Sequence, residues 1–240
     1  MSSNRLAPAH LADLKRSGLS DDTITAMGCE SLDATSIARW VYGPDSDKSL
    51  AYDGYSIPYR DLSGNPMKDG TGAPMVRYRM MLPPGEEAPK YRSRSGAHNR
   101  IFLPPGLAEL LNDPVAPLII TEGEKKAAKA VQEGFACVGI AGIWNWAAEP
   151  KRNEDERLSP ETRLIAELYE ICRNRKVLVL GDCDPKESTQ ATVKKGLSLL
   201  ARAILVQIPT KAVNFAFIPK EYAGPESKMG LDDLLMLEGA

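Results

Sequence analysis

Two acidic motifs each follow an apolar stretch of the sequence. Residues 118–121 lead into Glu122, and residues 177–181 lead into Asp182 and Asp184. In an extended segment, residues two positions apart project to the same side, so Asp182 and Asp184 can act together. Three carboxylates at neighbouring strand ends would repel one another unless a hard cation neutralised them, and Mg²⁺ is the usual ion beside substrate phosphates. The spacing therefore predicts a site at these acids for one or two Mg²⁺ or Mn²⁺ ions.

The region around these acids alternates apolar stretches with amphipathic helical stretches, which is typical of a parallel α/β sheet. Ligands of such sheets bind beyond the carboxyl ends of the strands, where Glu122 and Asp182 are expected. Gly123 allows a tight turn from the first strand into a helix. Strands are predicted at 118–120, 136–140, 177–180 and 204–208, and a helix at 125–133.

A basic region precedes the acidic motifs. Short strands are predicted at 55–59, 75–81 and 100–103, which favours an antiparallel mini-sheet. Tyrosines interleaved with basic side chains suit a phosphate backbone with stacked bases, although a solvated charged face is the ordinary alternative. The candidate residues for binding nucleic acid or nucleotide in this region are Arg77, Arg79, Lys90, Arg92 and Arg100.

The N-terminal stretch has helical signals. Leu11 and Leu14 mark one helix, Ser20 caps a second helix that stops at Gly28, and residues 37–41 suggest a third. The predicted organisation is a helical segment at 1–45, a basic mixed-β subdomain at 46–112 and an α/β domain at 113–240.

The composition of the chain limits the kinds of function that it can have. The chain has 240 residues, 43% of them hydrophobic, so it can bury a core. Its formal net charge is -2, so binding of nucleic acid would require a local basic surface. The four cysteines form no C-x-x-C pair, which argues against a structural zinc site. No stretch approaches the roughly 20 apolar residues that cross a bilayer, so we expect a cytoplasmic protein without membrane contact.

The acidic motifs resemble those of a known domain. A Glu-Gly pair followed 60 positions later by Asp-x-Asp (122 to 182) is similar to the Toprim domain of primases, topoisomerases and some nucleases. Residues 121–127 (TEGEKKA), 139–145 (GIAGIWN) and 228–233 (KMGLDD) resemble the Toprim-like domain of plasmid and phage replication proteins.

The basic region extends the resemblance to roughly residues 50–235. Residues 57–61, 76–79 and 89–91 are similar in order and spacing to the subdomain that precedes Toprim in DnaG-type bacterial primases. The resemblance implies a Toprim-like sheet, Mg²⁺ held by the glutamate and the two aspartates, and template and nucleotide held by Lys90 and Arg79. The zinc ribbon of those primases and the P-loop of a helicase motor are absent from this sequence.

Further candidates surround the acidic motifs. Lys125 and Lys126 follow Gly123 at a helix start, where at most one is expected to point inward towards phosphate while helical lysines ordinarily face solvent. Of the two, Lys125 is the candidate for binding nucleic acid or nucleotide. Asp232 and Asp233 either reach the metal or occupy the first turn of a helix at 231–237.

Three functions are compatible with these residues. The leading hypothesis is a DNA primase-like nucleotidyltransferase of a mobile genetic element, which uses NTPs on a single-stranded DNA template with a replicative helicase as separate partner or fused domain. A Toprim nuclease would use the same acids to activate water. A catalytically inactive module would only bind single-stranded nucleic acid.

Overall fold

A computed structural model describes residues 6–148, 158–223 and 227–238. The α-helices within these ranges are α1 (Pro8–Lys15), α2 (Asp21–Met27), α3 (Ala34–Tyr42), α4 (Leu107–Leu110), α5 (Glu124–Gln132), α6 (Ala166–Ile171), α7 (Glu187–Gln207) and α8 (Leu231–Glu238). The strands are β1 (Glu30–Leu32), β2 (Gly54–Pro58), β3 (Val76–Met80), β4 (Tyr91–Ser93), β5 (Ile101–Phe102), β6 (Leu118–Glu122), β7 (Cys137–Ile140), β8 (Lys176–Gly181) and β9 (Ala212–Phe217).

The chain divides into two compact units, Met1–Ala97 and His98–Ala240. This division differs from the predicted boundary between residues 112 and 113. The difference comes from β5, which we expected in the basic mini-sheet. Ile101 and Phe102 instead pair antiparallel with Ile140 and Gly139 of β7 in the second unit. The prediction that residues 100–103 belong to the mini-sheet was therefore wrong.

The first unit is built on an antiparallel sheet of order β1-β2-β3-β4. On one face of this sheet, Ile37 and Val41 of α3 pack with Tyr78 and Met80 of β3. The N-terminal residues do not form a separate helical segment, because β1 pairs with β2 and joins them to the sheet.

The predicted helix boundaries near the N-terminus are confirmed. The Ser20 hydroxyl accepts a hydrogen bond of 3.1 Å from the Thr23 backbone N–H, which caps α2. Gly28 ends α2 with φ 67°, a left-handed conformation that glycine adopts without strain.

The second unit contains a five-stranded sheet of order β5-β7-β6-β8-β9. Strands β7, β6, β8 and β9 run parallel, and β5 is antiparallel at one edge. The predicted fold class, a parallel sheet flanked by helices, is confirmed.

One predicted strand of this sheet was wrong. Residues 204–207 belong to α7, and the fourth parallel strand is β9. Leu197, Leu200 and Ile204 are all buried, so the helical spacing of three and four residues continues through Ile204. The short apolar run at 204–208 is compatible with a strand or with a helix. In the structure residues 204–207 are helical because α7 packs against β8 and β9.

No helix in the described ranges is long and apolar enough to cross a membrane.

Candidate active site

Two acidic residues lie at the carboxyl edge of the parallel sheet, at the ends of neighbouring strands. Strands β6 and β8 are neighbours, with Thr121 opposite Leu180. Glu122 is the last residue of β6 and is half-buried, whereas Asp182 follows β8 directly and is only 7% exposed. The predicted meeting of these two motifs at one sheet edge thus follows from the strand order.

The turn after Glu122 requires a glycine. Gly123 has φ 106°, which L side chains rarely adopt, and its N–H donates a hydrogen bond of 2.9 Å to the Ile140 carbonyl of β7. Helix α5 begins at the next residue, Glu124, whose side chain is buried. The predicted role of Gly123 as a tight turn between strand and helix is therefore what the backbone shows.

Lys126 is the lysine that points into the acidic site. Its ammonium group forms an ion pair with Oδ2 of Asp182, and its side chain is 18% exposed. Burial alone would lower the pKa of Lys126, but the charges of Asp182, Asp232 and Glu122 outweigh burial and raise it. Lys126 therefore carries its positive charge throughout the physiological pH range. The sequence had pointed to Lys125 instead, which is half-buried in the same helix turn.

The segment at 228–233 lies beside Asp182 and Lys126. Met229 and Cys183 exchange two backbone hydrogen bonds of 3.0 Å, which tie the segment to the chain just after β8. This pairing brings Lys228 Nζ to 3.5 Å from Asp182 Oδ2. A Cβ atom added at Gly230 would lie 2.6 Å from Cε of Lys126, so any other residue there would displace the end of the Lys126 side chain.

The two predicted aspartates of α8 have different surroundings. Asp232 is buried, and its carboxylate is one of the charges that act on Lys126. Asp233 accepts a hydrogen bond of 2.9 Å from the Gly230 backbone N–H, which satisfies a donor at the helix start. Asp232 thus reaches the acidic site, and Asp233 serves the first turn of the helix.

Asp184 is tied to the start of α7. Its Oδ1 atom accepts a hydrogen bond of 2.9 Å from the Lys186 backbone N–H, and its own N–H donates to Gln190 Oε1 at 2.8 Å. The Asp184 residue is half-buried, and a carboxylate that accepts one hydrogen bond keeps lone pairs that can bind a metal.

The acids do not form a preassembled ion cage. Within the described residues, no group of three or more His, Cys, Asp or Glu side chains is arranged to hold a metal ion. The donor chemistry nevertheless fits Mg²⁺, because this ion keeps several waters and is usually bound by one or two carboxylates together with substrate phosphates. Glu122 and Asp182, on adjacent strands, can supply such a pair.

The basic residues of the first unit lie on two faces of its sheet. Arg77 and Arg79 are opposite Ser93 and Tyr91, so they project to one face, whereas Arg92 is opposite Tyr78 and projects to the other. These residues lie on β3 and on the edge strand β4 and project to opposite faces, so they do not form the single basic surface that the sequence predicted. Lys90 lies just before β4 and is exposed.

Arg79 is largely enclosed by its own unit. Its side chain is 13% exposed, its Nη2 atom lies 3.4 Å from Oδ1 of Asp13, and its Nη1 atom donates 2.6 Å to the Met80 carbonyl. Its guanidinium also lies 5.2 Å from the centre of the Tyr91 ring. These contacts give Arg79 a structural role.

Arg100 is also held by an acid. It belongs to the second unit, where its Nη1 atom lies 2.7 Å from Oε1 of Glu167 on α6. Its predicted place in the basic mini-sheet was therefore wrong, for the same reason as that of β5.

A small pocket of about 180 Å³ lies beside α3 in the first unit. Trp40 is 49% exposed, and the Arg94 guanidinium lies 5.2 Å from its ring centre. The pocket is lined by Trp40, Pro74, Val76, Tyr78 and Arg94. From the sequence, Trp40 served only to mark a predicted helix at 37–41, although an exposed tryptophan beside an arginine is a surface on which a base can stack.

Solved primase structures share this fold. A DNA primase domain from Pseudomonas aeruginosa matches 99% of this chain and 70% of its own, with a TM-score of 0.61 and 18% identity. The zinc-binding and RNA polymerase domains of the Aquifex aeolicus primase match 97% of this chain and 53% of their own, with a TM-score of 0.59 and 14% identity. A DnaG primase catalytic domain bound to single-stranded DNA matches 100% of this chain and 72% of its own, with a TM-score of 0.55 and 17% identity. The fold is therefore similar to DnaG-type catalytic cores, as the sequence motifs predicted.

A relative by sequence matches about half of the chain. An uncharacterized protein of Picosynechococcus sp. is 28% identical over 133 residues, which are 55% of this chain and 12% of the relative. The chain thus spans about an eighth of that relative's length. Residues 107–240 match the model of a family described as a domain of unknown function, DUF3854, and the chain belongs to that family.

Proposed function

We propose that this chain is the catalytic core of a DNA primase-like nucleotidyltransferase, which joins NTPs into short primers on a single-stranded DNA template. The observation that carries this proposal is the placement of Glu122 and Asp182 at the carboxyl ends of adjacent parallel strands. The similarity of the fold to DnaG-type catalytic cores supports it.

The acids would hold Mg²⁺ or Mn²⁺. Glu122 and Asp182 would be its main protein ligands, with Asp184 as a third. Such an ion, when bound, neutralises charge on a triphosphate and lowers the pKa of an attacking 3′-hydroxyl. The chain itself supplies positive charge through Lys126 and Lys228, which lie beside Asp182 where phosphate oxygens would approach the metal.

The template would bind the first unit through its basic residues. Lys90 precedes the edge strand β4, Arg92 lies on this strand and Arg77 lies on its neighbour β3. These side chains would contact backbone phosphates. Trp40 with Arg94 would stack an unpaired base. Because Arg79 and Arg100 are paired with Asp13 and Glu167, their contribution to nucleic-acid binding would be indirect. Lys125, at the start of α5, would contact nucleotide phosphate.

A primase of this kind would act in the cytoplasm, in the replication of plasmid or phage DNA. We expect it to receive its template from a replicative helicase, either as a separate protein or as a domain of a longer chain. The Picosynechococcus relative, of which the matched region is 12%, supports the longer form.

Primer synthesis is tested with a single-stranded DNA template, labelled NTPs and Mg²⁺ or Mn²⁺. We expect labelled oligonucleotides from the wild type and a loss of roughly 100-fold or more with Asp182→Asn or Glu122→Gln, because each change removes a metal-binding charge. Asp45→Asn is the matched control, since Asp45 is exposed and lies in the first unit. Circular dichroism shows whether each variant is folded.

The same reactions separate the other two functions. Template shortened by the wild type and left intact by Asp182→Asn would identify a nuclease and refute primer synthesis. Binding of DNA that survives EDTA, with no product under either metal, would identify a binding module.

A further inference from the structure

Lys126 places a fixed positive charge among the acids of the candidate active site. Its ammonium group is paired with Asp182 and lies within the electrostatic influence of Glu122 and Asp232. A cation at this position does part of what a metal ion would do, because it reduces the repulsion between the carboxylates.

The position of Lys126 is built into the fold. Its side chain crosses the backbone of Gly230, where an added Cβ atom would lie 2.6 Å from Lys126 Cε and 2.7 Å from Asp232 Oδ1. Gly230 follows Met229, which exchanges two hydrogen bonds with Cys183. The Gly230 backbone, against which the Lys126 side chain lies, is therefore fixed to the chain just after β8.

The Lys228 side chain is more exposed than that of Lys126. Its ammonium group is 3.5 Å from Asp182 Oδ2, and its side chain is 57% exposed. A long exposed side chain moves easily, so substrate or metal can displace Lys228 at little cost. Of these two lysines, Lys126 is the one held inside the site.

We propose that the Lys126 ammonium takes the place of one divalent ion, so that the acidic site binds a single Mg²⁺ or Mn²⁺. This inference rests on the proposed function, which requires a metal at Asp182. An ammonium and a divalent ion repel each other at short distance, and both compete for the oxygens of Asp182. Lys126 is thus a positioning residue that sets how many metal ions the acids hold.

The number of bound ions is measured by Mn²⁺ electron paramagnetic resonance on the full chain without DNA or nucleotide. We expect one bound ion in the wild type. Lys126→Met keeps a side chain of similar length and removes the charge, so we expect a second ion or binding about tenfold tighter. Lys194→Met removes the same charge from an exposed position on α7 and is expected to behave as wild type.

Lys126→Arg separates charge from packing. It keeps the positive charge, so we expect it to bind one ion, as the wild type does. Two ions in the wild type, or a number and affinity unchanged in Lys126→Met, would overturn the inference. A lower melting temperature of Lys126→Met with unchanged Mn²⁺ binding would also overturn it, because that result shows a purely structural ion pair.

The proposed function is tested separately, by measuring primer synthesis. Loss of synthesis in Asp182→Asn together with two ions in the wild type would keep the proposed function and remove only this role of Lys126. Absence of Mn²⁺ binding in the wild type and in Lys126→Met would refute the inference and the metal dependence together.

Discussion

The ammonium group of Lys126 on α5 forms an ion pair with Oδ2 of Asp182, which follows β8. This pair joins the Glu-Gly motif to the Asp-x-Asp motif, so the two sequence signals meet through a lysine as well as through neighbouring strands. The room for the lysine is supplied by Gly230, from a third motif.

Gly230→Ala should disturb this arrangement. The new methyl group would lie 2.6 Å from Lys126 Cε, so the lysine or the backbone must move. Because the nearest atoms lie at the ends of side chains, which can shift, we expect the free energy of unfolding to fall by only about 1 kcal/mol. Urea denaturation measures this change. In Gly142→Ala the nearest atom would be 3.4 Å away, an ordinary contact, so a drop of equal size there would contradict the explanation.

We expect Arg79 to contribute more than Lys90 to the stability of the folded chain. Asp13 is buried and accepts hydrogen bonds from the Tyr55 hydroxyl (2.8 Å) and Arg16 (2.7 Å) besides its ion pair with Arg79. Arg79→Met is expected to lower the free energy of unfolding by about 1–3 kcal/mol, because it leaves buried partners unsatisfied. Lys90→Met, at an exposed position, is expected to change it by less than about 0.5 kcal/mol. Equal losses in urea denaturation would show that Arg79 has no special structural role.

Lys90 should instead affect DNA binding and its salt dependence. If Lys90 contacts a phosphate, Lys90→Met weakens binding to single-stranded DNA and reduces the slope of log affinity against log salt by about 0.7. Fluorescence anisotropy of a labelled oligonucleotide at several salt concentrations gives both quantities. Lys194→Met serves as the charge-matched control, and an unchanged slope in Lys90→Met would rule out the phosphate contact.

The buried cysteines should be unreactive in the folded protein. Burial raises the pKa of the Cys172 thiol to about 12 and also raises the pKa of Cys137. At pH 8 the thiolate fraction of Cys172 is then roughly one in ten thousand. We expect iodoacetamide to label all four cysteines in urea and none in buffer, as read by mass spectrometry. Rapid labelling of Cys172 in buffer would show that the thiol is accessible.

Much of the second unit could be predicted from its sequence. Apolar runs followed by Glu122 and Asp182 fix strands and their carboxyl ends, because burial on both faces selects continuous apolar residues. The strand predicted at 204–208 failed since Ile204 completes a buried helical stripe, which a short apolar run cannot distinguish from a strand. Strand β5 has only two residues, too few to reveal which sheet it joins.

The charges around the acids were harder to predict. Lys126 has the sequence surroundings of a solvent-facing helical lysine, and only the fold places Gly230 beneath it. Arg79 likewise has the pattern of a surface residue on a strand, yet its partner Asp13 lies on α1, distant in sequence. Both outcomes depend on long-range packing, which charge patterning along the chain does not encode.

In the proposed function, Glu122 and Asp182 promote template-directed nucleotidyl transfer. This role is tested by sequencing the labelled products made on a single-stranded DNA of defined sequence. We expect oligonucleotides complementary to the template from the wild type and roughly 100-fold fewer, or none, from Asp182→Asn. Wild-type reactions that yield no complementary product with Mg²⁺ or Mn²⁺ would contradict it.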